Sequence, residues 1–199
     1  PKKTQLAKAI LLLNFTNFTF GQVIQPRVWI EADDFVEATF IEQTVNISDT
    51  PFFINRVVEI KGGTNTHLHY YRLQNEGKNA IEVSNIETDI QKGSTFNSVV
   101  ISLSGEMVRN NLSLNLLGSN SEGNMYGLYL LNGKTHVDNH TNVDHTIPNA
   151  QSNELYKGVL ADQSRGVFNG KIFVRQDAQK TNAFQQNNNI LLSDDAIIN

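Results

Sequence analysis

Cysteine is absent from the 199 residues, which excludes disulfides, thiolate catalysis and thiolate metal ligation within this chain. A chain without thiols suits a reducing cytosol. Proline occurs only four times, so few backbone N–H groups are removed from strand ladders. Charge is sparse: charged residues make up 18% of the chain and the net charge is −4. No basic footprint invites nucleic acid or an anionic bilayer. Long apolar runs are missing too. Near the start the longest is Ile10-Leu11-Leu12-Leu13, far too short to cross a membrane or serve as a signal h-region. Nowhere is there a Gly-x-x-x-x-Gly-Lys-Ser/Thr loop, so the chain is not expected to bind ATP itself. Ser164-Arg165-Gly166 is not a Gly-x-Ser-x-Gly elbow.

What remains is enough for a folded core. Apolar residues reach 39%, neither disordered nor membranous, and the length is within what all-β folds manage as one unit. The chain opens on Pro1-Lys2-Lys3 and stops in mid-pattern at Ile197-Ile198-Asn199, so it reads as a piece of a longer protein. Asparagine is the excess: 25 residues, about one in eight. Asn is poor in helix interiors and ordinary strands. It is at home in turns with left-handed backbone and in stacked amide ladders.

Short β-rich runs recur along the chain, among them Phe35–Ile41, Phe52–Ile60, His67–Leu73, Ser98–Leu103, Leu112–Leu117, Met125–Leu131, Leu155–Leu160 and Ile190–Leu192. They are bounded by Gly, Asn, Asp or Ser, as strands are. Glycines at 93, 105, 118 and 133 leave gaps of 12, 13 and 15 residues. Only Thr4–Leu13 shows a helical spacing, with Leu6, Ala9, Ile10 and Leu13 on one face. The fold class is all-β. Sandwich, barrel and solenoid all accommodate this spacing. Asn132-Gly133 and Asn169-Gly170 are hairpin signals for the antiparallel options. The Asn load, the scarce Pro and a loose repeat of 23–25 residues favour a parallel β-helix. In that architecture Ile101, Leu103, Leu114, Leu116, Leu128, Leu130, Val137 and Val159 are expected in the core.

The C-terminal third carries a resemblance. LYKGVL at Leu155–Leu160, SRGVFNGKI at Ser164–Ile172, AQKT at Ala178–Thr181 and NNNILLSDDA at Asn187–Ala196 resemble, in this order, the SufB/SufD family of iron–sulfur cluster assembly scaffolds, on the SufD side. Arg27–Gln43 and Arg109–Leu116 match more loosely. The resemblance implies a right-handed parallel β-helix over about residues 10–199, with residues 1–199 the core domain and the flanking helical regions outside this chain. It implies a non-enzymatic scaffold subunit that pairs with a SufB-type scaffold and a SufC-type ATPase. No cofactor is expected in this fragment; the cluster would be assembled transiently by the full complex. In SufD-like proteins the cluster-site His sits in a Cys-Ser-His-Gly element beyond the segment matching Asp194–Asn199. The other functional class is a carbohydrate-binding or adhesive β-helix.

Individual constellations give weaker signals. His67 and His69 share a strand face and would jointly offer two imidazoles. A cupin-like Glu is missing beyond them, where Leu73 and Gln74 stand, so two His on a solvated face is the plainer reading. His136, His140 and His145 form a second group, interleaved with Asp138 and Asp144. As one strand, His136, Asp138, His140 and Asp144 share a face suited to Zn²⁺ or Fe²⁺, with His145 on the opposite one. Asp33-Asp34 and Asp194-Asp195 are adjacent pairs that diverge in a strand, and read as turn residues. Phe173, Ile190, Leu191 and Leu192 are the expected partner interface, because Asn187–Leu192 has no Lys, Arg or Pro to blunt an edge. Without a partner, two copies are expected to pair through it.

Overall fold

A computed structural model describes residues 3–17 and 21–199. Its regular elements there are sixteen strands: β1 (Thr4–Gln5), β2 (Ile10–Thr16), β3 (Gln22–Ile24), β4 (Arg27–Ala32), β5 (Val36–Asn46), β6 (Phe52–Gly62), β7 (His67–Gln74) and β8 (Ala80–Ile90). They continue as β9 (Thr95–Ser102), β10 (Met107–Leu116), β11 (Glu122–Leu131), β12 (His136–His145), β13 (Gln151–Leu160), β14 (Arg165–Val174), β15 (Asn182–Leu191) and β16 (Ile197–Ile198). From β5 onward the chain alternates between two sheets, one built on β5-β7-β9-β11-β13-β15 and the other on β6-β8-β10-β12-β14-β16, every pairing parallel. The result is a parallel β-solenoid with two strands per turn. Those strands line up in rungs.

The repeat is longer than the sequence spacing implied. Ile81 pairs with Met107, Met107 with His136 and His136 with Arg165, steps of 26, 29 and 29 residues rather than 23–25. Each glycine gap of 12–15 residues is a half-turn, one strand and one corner. Neither hairpin signal makes a hairpin: Asn132-Gly133 turns a corner between sheets, and Asn169-Gly170 lies inside β14. The helical spacing at Thr4–Leu13 is overturned as well. β2 pairs with Phe40–Asn46 of β5, and only Leu12 of its opening run packs against the core. A sheet edge already waiting for a strand outweighs a weak local period.

Asparagine earns its excess in two ways. Phe35, Asn65, Gly93, Asn120, Asn149 and Lys180 all have positive φ and stack at one corner, rung over rung. Backbone bonds run down this column: Asn65 N–H to Lys92 O at 2.8 Å, Gly93 N–H to Ser119 O at 3.0 Å, Asn120 N–H to Asn149 O at 3.1 Å. Asn tolerates the left-handed region that this corner demands. Elsewhere amides ladder between rungs, Asn111 onto Asn85, Asn124 onto Asn97 and Asn110 onto Asn139, each at 3.0 Å.

The core departs from expectation in an instructive way. Leu114, Leu116 and Val137 are buried as expected. Ile101, Leu103, Leu128, Leu130 and Val159 point outward, Leu103 and Leu130 being 36% and 42% exposed. On β11 the inward set is Gly123, Met125, Gly127, Tyr129 and Leu131; on β13 it is Ser152, Glu154, Tyr156, Gly158 and Leu160. Two aromatic residues fill the space left by two glycines. A Cβ on Gly127 would meet the Tyr156 ring at 2.1 Å, and one on Gly158 would meet the Tyr129 ring at 2.2 Å. Bulk is supplied on alternate rungs, which is how a column of identical positions packs without voids.

Candidate functional site

Inside the solenoid a charged cluster bridges the sheets. Arg56 of β6 has no exposed surface and bonds Glu42 of β5, Thr44 and, at 3.2 Å, Glu82 of β8. Arg72 bonds Glu82 as well, and the Tyr70 hydroxyl donates to Glu42. Gln74 carries the chain onward at 3.1 Å to Glu82 and 3.0 Å to Asn110, and Asn110 reaches Asn139. Burial alone would raise Glu82, but Arg72 and Arg56 beside it hold its carboxyl below the usual value. Burial, with Glu82 nearby, instead pushes the Glu76 carboxyl up to about 8. Strand parity put these residues inside, and their polarity hid them from a reading that looked for apolar faces.

A second polar group lies nearer the C-terminal rungs. Thr141 donates to Glu154, and His145 Nε2 lies 2.9 Å from the Ser152 hydroxyl. Burial pushes the Glu154 carboxyl up to about 7, and burial lowers the His145 imidazole against a weaker pull from Asp144. A carboxyl with a raised folded pKa favours folding while protonated, and that contribution is lost as pH climbs from 4.5 through about 7. His145 works the other way, its stabilisation being lost below its ordinary value of 6.5. Glu154→Gln is expected to change stability little near pH 5 and to add about 2 kcal/mol near pH 8, leaving Glu76 to supply the residual alkaline slope. Urea unfolding at both pH values checks this, and a variant that keeps the parent's pH profile would refute it.

The sequence-singled histidines separate. His136, Asp138, His140 and Asp144 share the outer face of β12, and His145 turns into the core. Asp138 is taken up by Arg109 and by His140 Nε2 at 2.9 Å, and Asp144 by Arg175 at 2.6 Å. Among the described residues no three His, Asp or Glu side chains converge as a metal site. His67 and His69 face outward opposite Leu68 and Tyr70, with the His69 ring bonded to Asn97 at 3.4 Å.

The expected interface residues also divide. β15 ends its sheet, hydrogen-bonded among the described residues on its β13 side alone. Ile190 and Leu191 lie on it, with Leu192 just beyond, at 59%, 46% and 65% exposure. Leu191 stacks on Leu160. Ile190 extends the outward column Leu130–Val159, beside a second column Leu73–Ile101–Leu128. Phe173 sits on the outer face of the other sheet, under the Arg175 guanidinium at 4.6 Å and Lys171 at 5.7 Å. One edge, then, gathers three of the four.

Fold and surface together define a class: a parallel β-solenoid that offers edges, ladders and an apolar outer stripe. The chain belongs to the SufBD core domain family of the SUF system for FeS cluster assembly, whose family model matches residues 15–199. A SufBD family iron–sulfur cluster assembly protein of Synechocystis is 28% identical over the whole chain and 46% of its own length. The iron–sulfur cluster assembly protein SufD of Escherichia coli is 29% identical over 94% of the chain and 45% of its own length. Protein ABCI7, chloroplastic, of Arabidopsis thaliana is 26% identical over 89% of the chain and 38% of its length. The chain thus spans less than half of each of these relatives. Family membership displaces the carbohydrate-binding alternative.

Proposed function

We propose that the chain serves the SUF system as a non-enzymatic scaffold of SufD type, in the cytosol, pairing with a SufB-type scaffold and working with a SufC-type ATPase. The cluster is cargo of the full complex, and this segment holds none of it. The observation that supports pairing is the edge of β15, a ten-residue strand bonded among the described residues only to β13, which carries exposed Ile190 and Leu191 with Leu192 just beyond. Such an edge templates another strand, and nothing in Asn187–Leu192 blunts it. With no partner present two copies meet through it, because an isologous patch closes on itself.

Light scattering on the chain at about tens of micromolar is expected to show a dimer that Leu191→Lys converts to monomer, since a charge at a desolvated contact costs several kcal/mol. A monomeric parent, or a dimer indifferent to Leu191→Lys, would count against β15. Co-purification of the full-length protein with its scaffold and ATPase partners tests the assembly itself. Anaerobic treatment of the chain with iron and sulfide is expected to leave it colourless, because cluster ligation draws on thiolates that it lacks. A stoichiometric, chelator-resistant brown chromophore would contradict that.

A further inference from the structure

Five of the six arginines are matched to carboxylates: Arg27 to Glu59, Arg56 to Glu42 and Glu82, Arg72 to Glu82, Arg109 to Asp138 and Arg175 to Asp144. Arg165 has no ion pair and no side-chain hydrogen bond among the described residues, and neither has Lys134. Both line one groove of about 530 Å³ at the corner that opens β12, β14 and β16, together with His136, Gln163, Asp195 and Ile197. Strand register explains the grouping. His136, Arg165 and Ile197 are rung-to-rung partners on the outer face. Lys134, Gln163 and Asp195 precede them by two residues each, in the three corners below. His136 Nε2 is shielded from solvent and has no hydrogen-bond partner.

We propose that this groove binds a small organic phosphate monoester. An unpaired guanidinium presents a planar fork that fits two phosphate oxygens, and the Lys134 ammonium adds a point charge from the neighbouring column. The Gln163 amide is a further donor. Asp195 is the one carboxylate of the lining, so with the two cations the groove keeps a net positive charge. Its size lies within the range of small-molecule sites and exceeds a bare phosphate severalfold. Ile197 supplies an apolar wall for the organic part.

The test is an NMR titration of the isotope-labelled chain with phenyl phosphate and, separately, inorganic phosphate. Saturable shifts are expected at Lys134–His136 and Gln163–Arg165, with phenyl phosphate the tighter of the two. Arg165→Gln and Lys134→Gln should each weaken phenyl phosphate by about tenfold, the scale of one charge-assisted hydrogen bond. Asp195→Asn should tighten it. Arg27→Gln, on the same sheet at the other end of the solenoid, should change nothing. Dispersed spectra away from the groove show that each variant is folded. No saturation by about 10 mM, where millimolar affinity would already be evident, overturns the site. So does equal weakening by Arg27→Gln, and inorganic phosphate binding as tightly as phenyl phosphate overturns the monoester assignment.

Discussion

Arg56→Met is expected to remove about 3–5 kcal/mol of folding stability near pH 7, because it takes from buried Glu42 its bonded guanidinium and from buried Glu82 one of its two. Arg56 is wholly buried and, among the described residues, is the one that hydrogen-bonds both. Met has similar volume, so little of the loss comes from packing. The signature is in the pH dependence. Without the guanidinium only Arg72 is left to hold the Glu82 carboxyl down against its burial, so the penalty should shrink as the pH falls. Urea unfolding near pH 7 and near pH 4 reads both effects. A uniform loss at the two pH values would mean that Arg56 acts through packing alone. Replacing Arg56, Arg72, Glu42 and Glu82 together with apolar residues should recover much of the loss, as whole buried ion clusters commonly can be exchanged for hydrocarbon.

Leu114→Ala should cost about 2–5 kcal/mol, the usual range for truncating a buried leucine. Leu114 has no exposed surface, stacks between Thr88 and Val143, and reaches across to the other sheet, where a Cβ on Gly123 would lie 2.1 Å from its Cδ2. A β-solenoid is quasi-one-dimensional, so rungs on either side feel the void only through their neighbours. Hydrogen exchange should therefore quicken in β8, β10 and β12 ahead of β5. Leu130→Ala is the internal control: it removes the same atoms from an outward position and is expected to cost less than about 1 kcal/mol. Equal losses from the two variants would contradict the parity seen here.

That parity is where the sequence is hardest to read. Over the last six residues of β10 the inner positions are leucines and the outer ones Asn and Ser, so alternation points the right way and Leu114 and Leu116 are legible. On β9, β11 and β13 both faces are partly apolar. The outer columns carry Leu73, Ile101, Leu128, Leu130 and Val159, and the inner ones carry Ser98, Ser102, Ser152 and Glu154. A period of two has two phases, and hydrophobicity selects the wrong one when the outer face is the greasier. The strand-rich character, the turn-forming Asn and the resemblance at Leu155–Ala196 survive this, because none depends on phase. The buried Arg–Glu cluster does not, since its members are many residues apart in sequence and meet only when rungs stack. The unblunted run Asn187–Leu192 is a property of one continuous segment and can be read directly, whereas the placing of Phe173 on the other sheet depends on the winding of the whole chain.

The unequal rung lengths carry a consequence for engineering. From β10 to β15 every strand has ten residues, yet successive rungs differ in length because the corners absorb the surplus. Thr146–Ala150 and Arg175–Thr181 fill the same corner one rung apart with different numbers of residues. Extra chain placed there bulges into solvent and leaves both ladders in register. A single residue added inside β11 would instead turn Tyr129 to water and carry Leu130 inward, breaking every contact beyond it. A peptide tag or a reporter loop belongs at Asp177, where the molecule already varies its own length, and not one strand earlier.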